Sequence, residues 1–268
     1  MDMHNIPVPL YFKAEKYHRQ SKLEIDDFSK LPRPFYTICR IHDGTLFMDG
    51  KTGTLRLKSG DMFLLPMGET YVAQWRGNPG AVFSSIHFTF APQNDPLRFR
   101  TYPLQQIDCR STCKENIKDL YSGIIQHCTK NGFEVFDAIA KFYALCHAVF
   151  TAADFEMARP IDESVRAAVT YIEQNFNRPI TVGMLAKLCN FSESRFYYLF
   201  KHNMGMPPME YKNKIAVRRS MQYLIENPAV TIEEVSAKCG FCNSSYFRKV
   251  FFHVTGTTPS ACRRLSWD

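Results

Sequence analysis

Ser194, Tyr197, Tyr198 and Lys201 are spaced i, i+3, i+4 and i+7, which places them on one face of a helix with Arg195 beside them. Fifty-one positions later Ser245, Arg248 and Lys249 restate the arrangement, with Ser244 adjoining. Hydroxyl, phenol, guanidinium and ammonium groups are the types that hydrogen-bond base edges in the major groove of DNA. The same types also make an ordinary solvated helix face. A second grouping, Cys239-Gly-Phe-Cys242, has the spacing of a redox pair or half a zinc site. No second pair completes a zinc set, and the intervening Gly-Phe belongs to a helix turn, so these cysteines read as packing residues.

The elements that must carry the first two groups are written twice. Thr181-Val182, Ala186, Cys189 and Phe191 return as Thr231-Ile232, Ser236, Cys239 and Phe241. After one inserted residue, Phe196, Phe200, Gly205 and Pro208 return as Phe247, Phe251, Gly256 and Pro259. Solenoids need about three units to bury a core, so two copies predict a paired module. In each copy a threonine caps a short helix. A tight turn follows, at Asn190-Phe191 in the first copy, and Ser192 or Asn243 caps a second helix. Phe196, Leu199 and Phe200 give the second helix of the first copy its apolar side. This is the helix-turn-helix pattern, whose second helix enters the major groove. Pro207-Pro208 start a connecting helix that Asn227-Pro228 stop, with Val217, Met221 and Leu224 inward and Lys212, Lys214, Arg218 and Arg219 outward. Its length should set the two reading helices about one DNA turn, roughly 34 Å, apart. Upstream, Asp162 caps a helix with Val165, Val169, Ile172 and Phe176 on one face, ended by Pro179.

Composition agrees with this reading. The chain of 268 residues carries a net charge of +7. Residues 160–268 hold 14 Lys+Arg against 9 Asp+Glu, a difference of +5. That sign suits a polyanion, since released counterions supply much of DNA affinity. Nine scattered cysteines predict a reducing compartment, the cytoplasm. The N-terminus lacks the apolar stretch of a secretion signal, and no run approaches the roughly 20 apolar residues of a membrane span.

Residues 1–34, polar and broken by Pro7, Pro9, Pro32 and Pro34, read as an arm. Residues 35–152 read as one domain. Phe35–Ile41, Thr45–Met48, a strand around Leu55 and Leu57, Met62–Leu65, Thr70–Trp75 and Val82–Phe90 have β composition at hairpin spacing, which predicts a barrel or a two-sheet roll. Arg40, Tyr71, Trp75, Ser85 and His87 are the candidate lining residues for a small molecule in such a barrel. Two helices then follow. Ile117, Leu120, Tyr121, Ile124 and Ile125 form one stripe; Phe136, Ile139, Ala140 and Tyr143, widened by Leu145, Val149 and Phe150, form another. Residues 153–160 read as a linker and 161–268 as the second domain. The fold class is α+β: an N-terminal β-barrel with two following helices, then an all-α domain with two helix-turn-helix motifs.

Residues from about 160 to 266 resemble the DNA-binding domain of the AraC/XylS family of transcription regulators. Ala186–Phe191, Phe196, Leu199-Phe200-Lys201 and Gly205–Pro208 carry the resemblance. In the second copy it rests on Ile232, Val235–Phe241, Ser245-Tyr246-Phe247, Phe251 and Gly256–Pro259. Phe252 departs from the pattern, since a basic residue often follows the last phenylalanine. The run Leu57–Pro66 followed by Ile86-His87-Phe88 resembles the cupin-type sensor domain of the same family. Enzymatic cupins bind metal through a His-x-His pair, a Glu and a later His; here His42 stands alone and Tyr71 falls where a His often follows the strand-ending Pro66. Neither a cofactor, nor a metal, nor an enzymatic activity is expected. The resemblance implies double-stranded DNA as partner, a small-molecule effector of the sugar class, a homodimer paired through the 113–150 helices, and RNA polymerase as a further candidate partner. The rival reading is an effector-independent regulator set by abundance or a protein partner.

Overall fold

The structure is a computed structural model, and it describes residues 7–91, 94–97, 100–109, 116–128, 132–157 and 162–264. Residues 1–6 of the expected arm and residues 158–160 of the expected linker lie outside this set. The chain divides into two compact units, one made of Pro9–Thr89 and Arg100–Glu156, the other chiefly of the residues from Met157 onward.

Among the described residues ten strands come first: β1 Pro9–His18, β2 Leu23–Asp27, β3 Tyr36–Asp43, β4 Thr45–Gly50, β5 Thr54–Lys58, β6 Met62–Leu65, β7 Tyr71–Arg76, β8 Val82–Phe90, and the two-residue β9 Arg100–Thr101 and β10 Gln105–Gln106. All of them except β9 form a five-stranded sheet in the order β1-β8-β3-β6-β10 and a four-stranded sheet in the order β2-β7-β4-β5. The ladders of β3 on β6, β3 on β8, β4 on β5 and β4 on β7 are antiparallel. The six expected strands are β3 to β8.

The arm is a correction. Residues 9–27, expected to be irregular, form β1 and β2, the outer strands of the two sheets. Only Tyr11 and Ala14 are buried in β1, three positions apart, and β2 alternates with Leu23 and Ile25 outward, so neither presents an apolar inner face to the sequence pattern. Their backbones are ordered by pairing, as when Leu23 to Asp27 match Arg76 to Val72 of β7. Aromatic contacts add to this: Tyr11 stacks on Phe35 at 5.1 Å and Tyr17 meets Phe83 at a tilt at 5.2 Å.

Helix α1 (Ile117–His127) is capped by Asn116 and buries Ile117, Leu120, Tyr121 and Ile124, as its stripe predicts. Helix α2 (Glu134–Ala152) packs through Ala138, Phe142, Leu145, Cys146, Ala148, Val149 and Phe150. The expected stripe at its start faces outward instead: Phe136 is 66% and Ile139 46% exposed. The stripe lies one position off the face that Phe142 and Val149 select, because apolar residues cover the circumference outside the Glu134, Asp137 and Lys141 row and spacing alone does not choose among them. By length and composition α2 could also cross a membrane, although no run of this kind was expected. Its second half, from Phe142 to Phe150, is a core element, with Phe142 and Phe150 packed edge-on against Phe88. Glu156–Met157 form a two-residue strand, β11, inside the stretch expected as linker.

The second unit holds seven helices among the described residues: α3 Glu163–Asn175, α4 Val182–Leu188, α5 Glu193–Met204, α6 Pro208–Glu226, α7 Ile232–Lys238, α8 Ser244–Thr255 and α9 Pro259–Arg264. Each expected cap is made. Asp162, Thr181, Ser192, Thr231 and Asn243 accept from backbone N–H groups in the first turns. Phe196 and Phe200 of α5 and Phe247 and Phe251 of α8 are fully buried. Each contributes roughly 1.5–3 kcal/mol of apolar burial, which locks the phase of both helices.

Candidate nucleic-acid interface

The same local chemistry folds both copies. Phe191 N–H donates to the Ala186 carbonyl at 2.9 Å, and Phe241 N–H to that of Ser236 at 3.0 Å. The residue before each phenylalanine is left-handed: Asn190 with φ 58° and Gly240 with φ 76°. Gly205 and Gly256 end α5 and α8 in that conformation too, with φ 69° and 68°. Two short helices wedged by one turn therefore present α5 and α8 alike.

With the phenylalanines turned inward, the opposite faces are open. Ser194, Arg195, Tyr197, Tyr198 and Lys201 are exposed on α5; on α8, Ser245, Arg248 and Lys249 are exposed and Ser244 is half-buried. Tyr198 is 62% exposed and stacks on His202 at 6.2 Å. Phe252, in place of the basic residue at Lys201, is 56% exposed. Arg248 donates through Nη2 to Glu233 Oε1 of α7 at 2.8 Å. In the connector α6 only part of the expected positive surface exists. Lys212 is buried, and Arg219 turns inward to donate to Gln222 at 3.0 Å. Burial pushes the Arg219 guanidinium down to about 10 and lowers the Lys212 ammonium. Val217, Met221 and Leu224 fill the interior on α6, as their spacing predicts.

Between the two sheets of the first unit lies a small cavity lined by Asp26, Arg33, Thr37, Cys39, Met48, Phe63, Leu65, Tyr71, Ala73, Trp75, Phe83 and Ser85. About 20 Å³ of it is open to the centres of water molecules, room for a water but not for a hexose. Of the expected lining residues, Tyr71, Trp75 and Ser85 border it, and two do not. Arg40 is half-buried on the outer face of β3 and donates to Ser122 of α1 at 2.9 Å. Strand alternation gives the inner face to Thr37 and Cys39, so position 40 points away. His87 is buried beyond the cavity, with Nδ1 2.9 Å from Thr37 Oγ1 and its ring 4.7 Å from Phe35. Burial, with Arg33 and Lys13 nearby, lowers its imidazole well below the usual range. Sequence reasoning missed Asp26 and Arg33 because both lie in the supposed arm. The Arg33 guanidinium sits 5.0 Å from the Phe35 ring and 5.6 Å from that of Tyr71. Asp26 accepts from Trp75 Nε1 at 2.9 Å and pairs with Arg19; burial still raises its carboxyl above the usual value. Among the described residues no three His, Cys, Asp or Glu side chains converge on a metal position, and every described cysteine is a free thiol.

Two capped helix pairs on one connector, following an antiparallel two-sheet roll, define a two-domain DNA-binding protein of the double helix-turn-helix class. Residues 185–265 match the family described as a helix-turn-helix domain. The Msm operon regulatory protein of Streptococcus mutans is 26% identical over 88% of this chain and 87% of its own length. The bifunctional transcriptional activator/DNA repair enzyme AdaA of Bacillus subtilis is 31% identical over 40% of this chain, and the transcriptional activator RhaR of Salmonella schwarzengrund 32% identical over 37%. The chain spans only about half the length of AdaA and a third of RhaR. ToxT of Vibrio cholerae has the same two-domain fold at 15% identity, with TM-score 0.58 over 94% of this chain and 97% of that one. The chain therefore carries an AraC-type helix-turn-helix domain and is a DNA-binding transcription regulator.

Proposed function

We propose that this regulator reads two adjacent DNA half-sites, one through Ser194, Arg195, Tyr197, Tyr198 and Lys201 of α5 and the other through Ser244, Ser245, Arg248 and Lys249 of α8. The observation that carries this is the matched exposure of both faces over fully buried phenylalanine pairs. The test is selection of bound duplexes from a random library with the full chain, followed by gel-shift titration. A selected sequence with two separate preferred blocks supports the reading; uniform binding to all duplexes refutes it.

A small-molecule effector held between the sheets is the second part of the proposal. The Asp26, Arg33, Tyr71, Trp75 and Ser85 side chains supply the charge, hydroxyl and aromatic face that a sugar needs. Relatives support the class loosely. One, 34% identical over 34% of this chain, is the lactose operon transcription activator of Staphylococcus xylosus, and that match covers only 32% of its length. ToxT has been solved with an unsaturated fatty acid bound, so an acid is the other class to test. The effector would have to open the cavity and favour one arrangement of the protein over another. The tightness of the cavity favours a second reading, a regulator without an effector. A thermal-shift screen with sugars and fatty acids separates the two: stabilisation by one class supports sensing, and none supports the second reading.

The proposal extends to a homodimer in the cytoplasm, with RNA polymerase as a neighbour on DNA. Phe133, Phe136 and Ile139 are 87%, 66% and 46% exposed at the start of α2, an apolar surface of the kind that pairs subunits.

A further inference from the structure

In both motifs a carboxylate lies where the first helix meets the second, but it comes from opposite helices. In the second motif it is Glu233, on the first turn of α7, whose Oε1 accepts from Arg248 Nη2 at 2.8 Å. Arg248 Nη1 also reaches Ser244 Oγ at 3.5 Å. The Glu233 backbone and then the Arg248 guanidinium hold that carboxyl below the usual range. In the first motif the place of Glu233 is taken by Gly183, against which the Glu193 carboxylate of α5 lies: a Cβ built on Gly183 would meet Glu193 Oε1 at 2.5 Å. The place of Arg248 is taken by Tyr197, and Val182, Glu193, Ser194 and Tyr197 border one shallow depression. The acid is kept in both copies, but only the second holds a guanidinium against it.

The geometry points to Glu233 as a positioning residue that fixes Arg248 for a guanine edge, so that the half-site under α8 carries a strong guanine preference that the half-site under α5 lacks. This rests on the proposed reading of DNA by α8. A guanidinium has five N–H donors in a planar fork. Glu233 and Ser244 take one N–H each, on Nη2 and Nη1, which leaves the Nε N–H and one N–H on each terminal nitrogen for a base. Two parallel donors match guanine O6 and N7. Swinging Arg248 to a phosphate would break the ion pair and bring a phosphate towards the Glu233 carboxylate; docking on a base breaks nothing. Rotamer freedom that a loose arginine would lose on binding is already lost in the free protein.

The test uses the full chain and the duplex that it selects from a random library, with each base pair then varied in turn. Arg248→Ala is expected to flatten a guanine preference at one position in one half-site by about tenfold or more. Glu233→Gln should flatten the same position by roughly fivefold, the scale of coupling between touching residues. It should leave affinity for a scrambled duplex unweakened and the melting transition in place, since the pair is exposed. In the double variant the Glu233 change should add nothing to the Arg248 change, and Glu233→Asp should restore part of the preference. Additive effects, or a Glu233→Gln loss spread over all sequences, would overturn the positioning role. If Arg248→Ala flattens the position and Glu233→Gln does not, the inference falls and the DNA-reading proposal stands. If Arg248→Ala and Lys249→Ala both match the parent, the reading by α8 falls and takes the inference with it.

Discussion

Lys249 and Phe252 lie on the open side of α8, at the positions that Tyr198 and Lys201 hold on α5. Lys249→Ala should weaken duplex binding by about 1 to 3 kcal/mol if it meets a base, and mainly lower the salt dependence if it meets a phosphate. Phe252→Lys returns a cation to the exposed end of that face. Binding should tighten, and the slope of log affinity against log salt should steepen by about one unit; a titration at several salt concentrations checks both. His87 carries a different prediction. Its imidazole stays neutral inside the barrel, while in the unfolded chain it takes up a proton near its ordinary value of about 6.5. The stability contributed by the neutral ring is therefore complete above that pH and is lost progressively below it. The unfolding midpoint of the N-terminal unit should fall between pH 7.5 and 5.5, and His87→Gln should reduce that slope. Both α8 residues were legible from the repeat alone. Arg40 was not placed correctly, because which side of a strand faces inward is set by the partner sheet; His87 faces inward as Ser85 does, but its contact with Thr37 and Phe35 holds it beyond the cavity.

The turn between α7 and α8 has no room for a side chain at position 240. Gly240 has φ 76°, and a Cβ there would lie 2.4 Å from Asn177 Cα, a backbone atom that no rotamer change can move. Gly240→Ala should cost the C-terminal unit at least about 2 kcal/mol, read as a shift in its denaturant midpoint. Asn190 bears the same conformation in the first copy with a side chain already present, so Asn190→Gly should change stability by under about 1 kcal/mol. Caps, turns and phenylalanine register were all visible in the sequence, because helix signals lie within a few residues of one another. The strands β1 and β2 were not. Their order comes from ladders with β8 and β7, partners that lie about fifty or more residues along the chain.

A protein with two reading helices on one connector makes a prediction about spacing. The selected operator should hold two blocks about one helical turn, roughly 10 base pairs, apart. Five base pairs inserted between them should reduce affinity to that of one block. Phe136→Glu on the exposed start of α2 should shift the chain towards monomer in light scattering if that surface pairs two copies. The sequence by itself determined the double helix-turn-helix, its caps and its polar faces, since a duplicated short-range pattern needs no distant partner to be recognised. It also marked six of the strands, and so the class of the first domain. Only the tertiary structure decided that the first strands belong to the sheets, that Asp26 and Arg33 join Tyr71 and Trp75 around the cavity, and that Glu233 holds Arg248. Those contacts join residues far apart in the chain, and they follow from how sheets and helices close on one another rather than from any local spacing.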